Sequence, residues 1–168
     1  MMKRPNPLDR YALDIAPGTL TWIGVRPRRR EPLQSLEATR AVATLGLEGD
    51  HRMVKTPGSG RQVSLISEVF IQQAAQFLKQ AHIDPGLLRR NLVVKGLNLN
   101  ALRRQRFTIG TAVFEATQLC HPCARMEENL GKGGVVAMLG HGGLCAKIIK
   151  SGDIAIGDAV SVVSPEAQ

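Results

Sequence analysis

Apolar positions along the chain recur mostly in the short, alternating or continuous runs that are typical of β-strands. Runs rich in Val, Ile, Thr and aromatic residues predict strands over 19–25, 38–45, 61–67, 92–96 and 107–117. Two more strands are predicted over 144–150 and 154–163, on either side of a turn at Gly152. We also expect a strand over 135–139, between glycine-rich segments, and a sharp bend at Gly157.

Only two segments predict helices. Ser67 is a suitable N-cap, and Glu68 follows it in the first turn. The helix that follows should bury one apolar face, formed by Phe70, Ala74, Phe77, Leu78 and Ala81, and should end at 84–86. A shorter helix is predicted over 124–130. Many short strands without regular strand–helix alternation favour a mainly-β barrel with a few peripheral helices over a doubly wound sheet.

Length and composition predict one domain. The chain has 168 residues, of which 43% are apolar, and we divide it into an N-terminal arm (1–17), a single domain (18–163) and a C-terminal tail (164–168). No apolar run approaches the roughly 20 residues of a membrane span, and the first residues lack the apolar stretch of a secretory signal. With three cysteines, an odd and low count, we expect reduced thiols and a cytoplasmic location.

The charge balance predicts an affinity for anions. The formal net charge is +8, from 22 Lys and Arg against 14 Asp and Glu, which suits nucleic acid, acidic lipid or a phosphorylated small molecule. Because aromatic residues make up only 4%, the stacking surfaces of a nucleic-acid binder are scarce. The basic run over 26–30 is either a solvated loop or the rim of an anion site.

The sharpest chemical signal is Cys120-His121-Pro122-Cys123, which lies between a predicted strand and a predicted helix. The pair could be a thiol–disulfide redox motif, or half of a zinc site completed by His141 and Cys145. The cysteines could also be buried structural residues, the interpretation that we prefer for Cys145. Finally, Cys123 could be the single thiolate ligand of a metal carried by an anionic organic cofactor, whose phosphate would bind Arg61 and Arg89.

Motifs spread over 18–162 resemble those of the MOSC family, the domain found at the C-terminus of molybdenum-cofactor sulfurases and also as stand-alone proteins. The matching segments are the strand 18–25, the turn 46–52, the segments 64–68, 89–94 and 107–110, the cysteine motif 120–123, and the closing segment 152–158. The resemblance implies a β-barrel of the pyruvate-kinase-barrel type with peripheral helices. It also implies that a pterin-based molybdenum cofactor binds to this domain.

The same resemblance assigns roles to individual residues. Cys123 would ligate molybdenum or carry transferable sulfur, Arg89 and Asn91 would hold the pterin phosphate, and Arg61 would make a further polar contact. Arg125, two residues after Cys123, is an additional candidate for cofactor binding.

The function implied is that of a sulfur carrier, or of an oxidoreductase that reduces N-hydroxylated compounds. The alternatives are a thiol–disulfide module and a cofactor-binding domain without chemistry of its own. A small-molecule substrate, an electron-donor protein and a second protomer are the candidate partners. We expect neither a membrane nor nucleic acid as a partner.

Overall fold

The computed structural model describes residues 7–164, and within them seven strands close into a barrel. The order around the barrel is β1–β11–β7–β8–β9–β5–β6 and back to β1. The pair β5–β6 is parallel and the other neighbours are antiparallel. The strands are β1 (Gly18–Val25), β2 (Gln34–Leu36), β3 (Ala38–Val42), β4 (Gly46–Leu47), β5 (Val63–Ser67), β6 (Leu92–Lys95), β7 (Arg106–Ile109), β8 (Ala112–Leu119), β9 (Leu144–Lys150), β10 (Gly152–Ala155) and β11 (Ala159–Val162).

Helices and single turns surround the barrel. The α-helices are α1 (Glu68–Phe77), α2 (Ala124–Leu130) and α3 (Gly134–Met138), and the 3-10 turns are Asp9–Ala12, His51–Val54, Pro85–Leu88 and Leu99–Leu102. Because a parallel pair needs a long crossover, α1 lies in the connection between β5 and β6. Outside the ring, β2 pairs with β1, and β10, β3 and β4 form a small second sheet. The predicted barrel with peripheral helices is thus confirmed.

The barrel interior is filled by apolar side chains that alternate with outward-facing ones along the strands. Along β8 every second residue from Ala112 to Ala116 is buried. Phe114 on β8 stacks on Phe107 of β7, with ring centroids 5.4 Å apart and planes 8° from parallel. A second apolar cluster lies between the barrel and the helices and includes Ile66, Ile71, Val93, Met126 and Met138.

Helix α1 begins where the sequence predicts, but its details differ. Ser67 occupies the N-cap position without capping the helix, because its hydroxyl donates to Leu97 O (2.7 Å) and accepts from Leu99 N (3.1 Å). The buried face consists of Ile71, Ala74 and Ala75. Phe77, predicted on that face, ends the helix and is 57% exposed. The predicted face was therefore only partly right.

Three element predictions need correction. The strand predicted over 135–139 is helix α3, since a short apolar run by itself does not distinguish a strand from a buried helix. The strand predicted over 107–117 is the hairpin β7–β8, which turns at Gly110 with φ 54°. The segment 154–163 is two strands, β10 and β11, which separate at the predicted bend.

The chain ends are only partly described. Residues 1–6 of the predicted arm and 165–168 of the predicted tail lie outside the described residues. Ala12, within the predicted arm, is buried in the barrel cluster. None of the helices between residues 7 and 164 has the length and apolar character needed to cross a membrane.

Candidate functional site

A cavity of about 250 Å³ lies where the cysteine loop, the His51–Val54 turn and the start of β5 come together. Within the described residues its lining includes no carboxylate, whereas many cations contribute to it. The cations are Arg26, Arg29, Arg30, Arg52, Lys55, Arg61, Arg89, Arg90 and Arg125; Val63, Ser64, Met126, His51, His121 and all three cysteines complete the lining. Such a lining attracts anions and disfavours cations.

Cys123 presents an exposed thiol to this cavity. It occupies the N-cap position of α2 with an extended backbone, its carbonyl accepts from Met126 N at 2.8 Å, and its side chain makes no capping hydrogen bond. Exposure is what a reactive or ligating sulfur requires.

Cys120 and Cys145, by contrast, form a buried pair in the cavity wall. Cys120 N donates to Gly143 O at 2.8 Å just beyond the last β8–β9 ladder pair, and Cys145 lies on β9 opposite Gln118. A hydrogen bond from the Cys145 thiol lowers the pKa of Cys120 against the effect of burial, and the charges of Arg90 and Arg61 act in the same direction. The same bond raises the pKa of Cys145. The pair can therefore hold one negative charge.

Arg61 is the counter-charge of this pair. The electrostatic attraction of the Cys145–Cys120 pair, together with hydrogen bonds to its two sulfur atoms, outweighs burial and raises the pKa of Arg61. Arg61 thus lies in the cavity as predicted, next to sulfur atoms that sequence reasoning did not connect with it. The preferred interpretation of Cys145 as a buried structural residue agrees with its burial but misses its place in the cavity wall.

Asn91 does not line the cavity, because its side chain is used entirely inside the protein. Its Oδ1 accepts from Ser64 N (3.1 Å) and Ser64 Oγ (3.2 Å), while Nδ2 donates to Gly24 O (3.0 Å) and Asp50 Oδ2 (3.0 Å). Only 1% of the residue is exposed. The structure therefore places Asn91 as an internal tie between β1, β5 and the Asp50 turn, and its predicted contact with a phosphate stays a prediction.

Asp50 fixes the basic residues around it. Its carboxylate accepts from the backbone N–H groups of Arg26 (3.1 Å) and Arg52 (2.9 Å) in addition to the Asn91 amide. The Arg26 side chain is 7% exposed, and its Nε lies 3.5 Å from Asp50 Oδ2. His51 Nδ1 lies 3.5 Å from the other carboxylate oxygen, and burial lowers the pKa of His51 although Asp50 opposes this. Burial therefore disfavours the charged form of His51.

Arg89 and Arg125 stand next to each other at the cavity. Arg89 adopts a left-handed conformation (φ 58°) after the Pro85–Leu88 turn, and its Nη1 donates to Glu31 O at 3.0 Å. Burial lowers the pKa of Arg89, and the charge of Arg125 adds to this. The structure thus brings Cys123, Arg61, Arg89 and Arg125 to one cavity, as the sequence predicts. It adds Arg26, His51 and Arg52, for which the signals were the basic run 26–30 and the turn 46–52, and also Arg90, which follows Arg89 in the matching segment 89–94.

His141, the proposed fourth member of a zinc site, lies elsewhere. Its ring packs edge-on against Phe70 of α1 at 5.0 Å and contacts Leu139 O at 3.3 Å. Across residues 7–164 there is no group of three or more His, Cys, Asp or Glu side chains placed to hold a metal ion.

The fold and site together define a small β-barrel protein with a cation-lined cavity that carries an exposed thiol. The family model described as "MOSC domain" matches residues 25–161. The chain belongs to the MOSC domain family, whose members generally bind molybdenum cofactor.

Solved structures share the fold at low sequence identity. The YuaD protein of Bacillus subtilis has a TM-score of 0.74 and 18% identity, with 88% of this chain and 96% of that chain covered. YiiM of Escherichia coli has a TM-score of 0.66 and 20% identity, covering 89% and 71%. YiiM of Geobacillus stearothermophilus has a TM-score of 0.71 and 15% identity, covering 88% and 76%. A comparison with curated proteins finds no match.

Proposed function

We propose that this chain binds molybdenum cofactor in the cation-lined cavity, with Cys123 as its thiolate ligand. The observation that carries the proposal is the exposed Cys123 thiol in a cavity lined by arginines and, among the described residues, by no carboxylate. A soft thiolate suits a metal of this kind, and guanidinium groups suit the phosphate of an anionic cofactor.

The residues present fit the group by their chemistry. Arg89 would hold its phosphate, and Arg61 and Arg125 would make further contacts with the cofactor, while Asp50 and Asn91 keep the basic turn in place. Cys120 and Cys145 interact with each other inside the wall, so Cys123 is the exposed one of the three cysteines, all of which lie within residues 7–164. When bound, the cofactor supplies electron and oxygen-atom transfer at molybdenum.

The favoured activity is reduction of N-hydroxylated compounds with electrons from a partner protein. Sulfur delivery to the cofactor, with Cys123 as persulfide carrier, is the second candidate, since exposure of the thiol serves either role. Three free thiols fit a reducing compartment, and the proposal includes a cytoplasmic location.

Metal and pterin content of purified variants tests the binding. The chain would be produced in a host that makes molybdenum cofactor, as the parent, as Cys123→Ser and as the matched control Cys120→Ser. We expect Cys123→Ser to lose molybdenum and Cys120→Ser to retain it. If no variant carries metal or pterin, and both substitutions abolish insulin disulfide reduction equally, the chain is a thiol redox module.

Turnover separates the two candidate activities. The loaded parent would be given an amidoxime and a reduced viologen dye as electron source. Reduction of the amidoxime that disappears in Cys123→Ser supports the oxidoreductase. Loading with metal and pterin but no turnover, together with a persulfide on Cys123 detected by mass spectrometry, supports the sulfur carrier.

A further inference from the structure

Two buried arginines next to the cavity differ in how their guanidinium groups are satisfied. Arg90 is 5% exposed and donates three hydrogen bonds, from Nε to Gly142 O (2.7 Å), from Nη1 to Leu88 O (2.9 Å) and from Nη2 to Cys120 O (3.4 Å). Arg26 is buried to the same degree, yet its Nε and Nη2 have no hydrogen-bond partner. Arg90 is therefore held by internal hydrogen bonds, whereas Arg26 is a buried cation with two nitrogen atoms that make no hydrogen bond.

Asp50 forms a long ion pair with Arg26 but does not saturate its guanidinium group. Its Oδ2 already accepts from Arg26 N and from the Asn91 amide, and its Oδ1 accepts from Arg52 N. The 3.5 Å between Arg26 Nε and Asp50 Oδ2 is longer than a charge-assisted hydrogen bond of about 2.7–2.9 Å. A buried polar group without a partner is costly, so natural proteins rarely keep one unless a ligand or water completes it.

Further polar groups of the same kind surround Arg26. Arg52 and Arg89 also line the cavity, and both charges oppose that of Arg26. His51 Nδ1 is a second buried atom without a hydrogen-bond partner, and the His51 ring lines the same cavity. Three guanidinium groups against one carboxylate leave an uncompensated positive charge. A group with several acceptor oxygens and at least one negative charge, bound in the cavity beside these guanidinium groups, would compensate that charge.

We propose that Arg26, His51, Arg52 and Arg89 form an oxyanion seat that takes the phosphate or diphosphate group of a ligand, with Arg26 as its buried anchor. Under the function proposed above that ligand is the cofactor, and the seat then identifies where its phosphate lies. Free phosphates share the chemistry, so the seat is testable without metal.

Pyrophosphate binding to the metal-free full chain tests the seat directly. Calorimetric titration would compare the parent with Arg26→Gln and with Arg28→Gln, a matched loss of charge two residues away at an exposed position outside the cavity. We expect Arg26→Gln to weaken binding about tenfold or more, since each charge-assisted hydrogen bond contributes substantially. Arg28→Gln should stay within about twofold of the parent, as expected for a screened surface charge. Equal affinities for the two variants would overturn the proposal.

A second variant keeps the test valid if Arg26→Gln folds poorly. Arg26→Lys retains the charge but lacks the planar fork, so we expect weakening of several-fold, with a thermal unfolding midpoint close to that of the parent. If Arg26→Lys binds pyrophosphate as tightly as the parent does, the planar guanidinium group of Arg26 does not contact the phosphate, and the proposed oxyanion seat is wrong.

Production of the variants in the cofactor-producing host shows whether the seat binds the phosphate of the cofactor or that of another ligand. Loss of pterin in Arg26→Gln supports a seat for the cofactor phosphate. Retained pterin together with weakened pyrophosphate binding supports a seat for a different phosphorylated ligand. Pyrophosphate binding is measured on metal-free protein and needs no cofactor, so failure of the proposed cofactor function would leave this result standing.

Discussion

The barrel interior and the cation-lined cavity are neighbours but differ in the side chains that form them: those of the interior are apolar, and those of the cavity are mostly positively charged. In the interior, side chains such as Leu20, Leu65 and Phe107 are fully buried in one apolar cluster, and burial of this kind stabilises a fold. At the cavity, like charges crowd together around a single buried carboxylate. Between residues 7 and 164, four buried side-chain nitrogen or oxygen atoms have no hydrogen-bond partner. Three of them belong to the cavity residues Arg26 and His51, and the fourth is Asn100 Oδ1.

This difference indicates that one set of residues determines the stability of the fold and another determines the affinity for a ligand. Interior residues should change the free energy of unfolding without a specific effect on ligand affinity. Lining cations whose side chains make no internal hydrogen bond, such as Arg125, should change affinity with little loss of stability, because their interactions are completed only by a ligand. Asn91 and Asp50 lie between the two regions and should affect both.

The largest effect is expected from Phe114→Ala in the interior. Removing a fully buried ring that stacks on Phe107 leaves a void in the barrel, and the free energy of unfolding should fall by about 3–5 kcal/mol. Urea denaturation followed by circular dichroism measures this loss. Phe77→Ala, which removes the same ring from an exposed position, should change it by less than about 0.5 kcal/mol. Similar losses for the two variants would show that the barrel interior is not the stabilising core.

An intermediate effect is expected from Asn91→Ala. The substitution leaves Ser64 N, Gly24 O and Asp50 Oδ2 each short of a buried partner, so the metal-free protein should lose about 2–3 kcal/mol of unfolding free energy. The control Asn98→Ala, at an exposed position, should lose less than about 0.5 kcal/mol. Unchanged stability of metal-free Asn91→Ala, with loss of cofactor, would instead make Asn91 a direct ligand contact.

Sequence reasoning predicted the barrel because its strands are marked by local patterns. β-Branched runs and glycine turns identify β1, β5, β6 and β9 within a residue or two of their observed bounds. Helix α3 was missed because five apolar residues between glycines carry no periodicity, and its helical form depends on packing against α1 and α2. The periodicity of α1 was recognised and Ala74 was placed on the buried face, but the rest of that face was predicted about one position away from Ile71 and Ala75.

The site was predictable only where a residue type carries chemistry by itself. A thiol or a guanidinium in a family motif indicates a role, so Cys123, Arg61, Arg89 and Arg125 were placed in one site. The contrast between Arg26 and Arg90 depends on hydrogen-bond partners that are distant in sequence, such as Gly142 and Cys120 for Arg90. No local pattern reports whether such partners exist.

Arg125→Gln is expected to change stability least. It should also distinguish most clearly between residues that determine stability and residues that determine affinity. Within the described residues the side chain of Arg125 has no hydrogen bond or ion pair, and its charge disfavours that of its neighbour Arg89. Removing it relieves repulsion, so the unfolding free energy should stay within about 0.5 kcal/mol of the parent or rise slightly. Pyrophosphate affinity should nevertheless fall about two- to fivefold, because one cation of the cavity is lost. The matched control Arg103→Gln, at an exposed position outside the cavity, should alter neither quantity. A drop in stability of more than about 1 kcal/mol without loss of affinity would place Arg125 with the structural residues and remove the distinction between the regions.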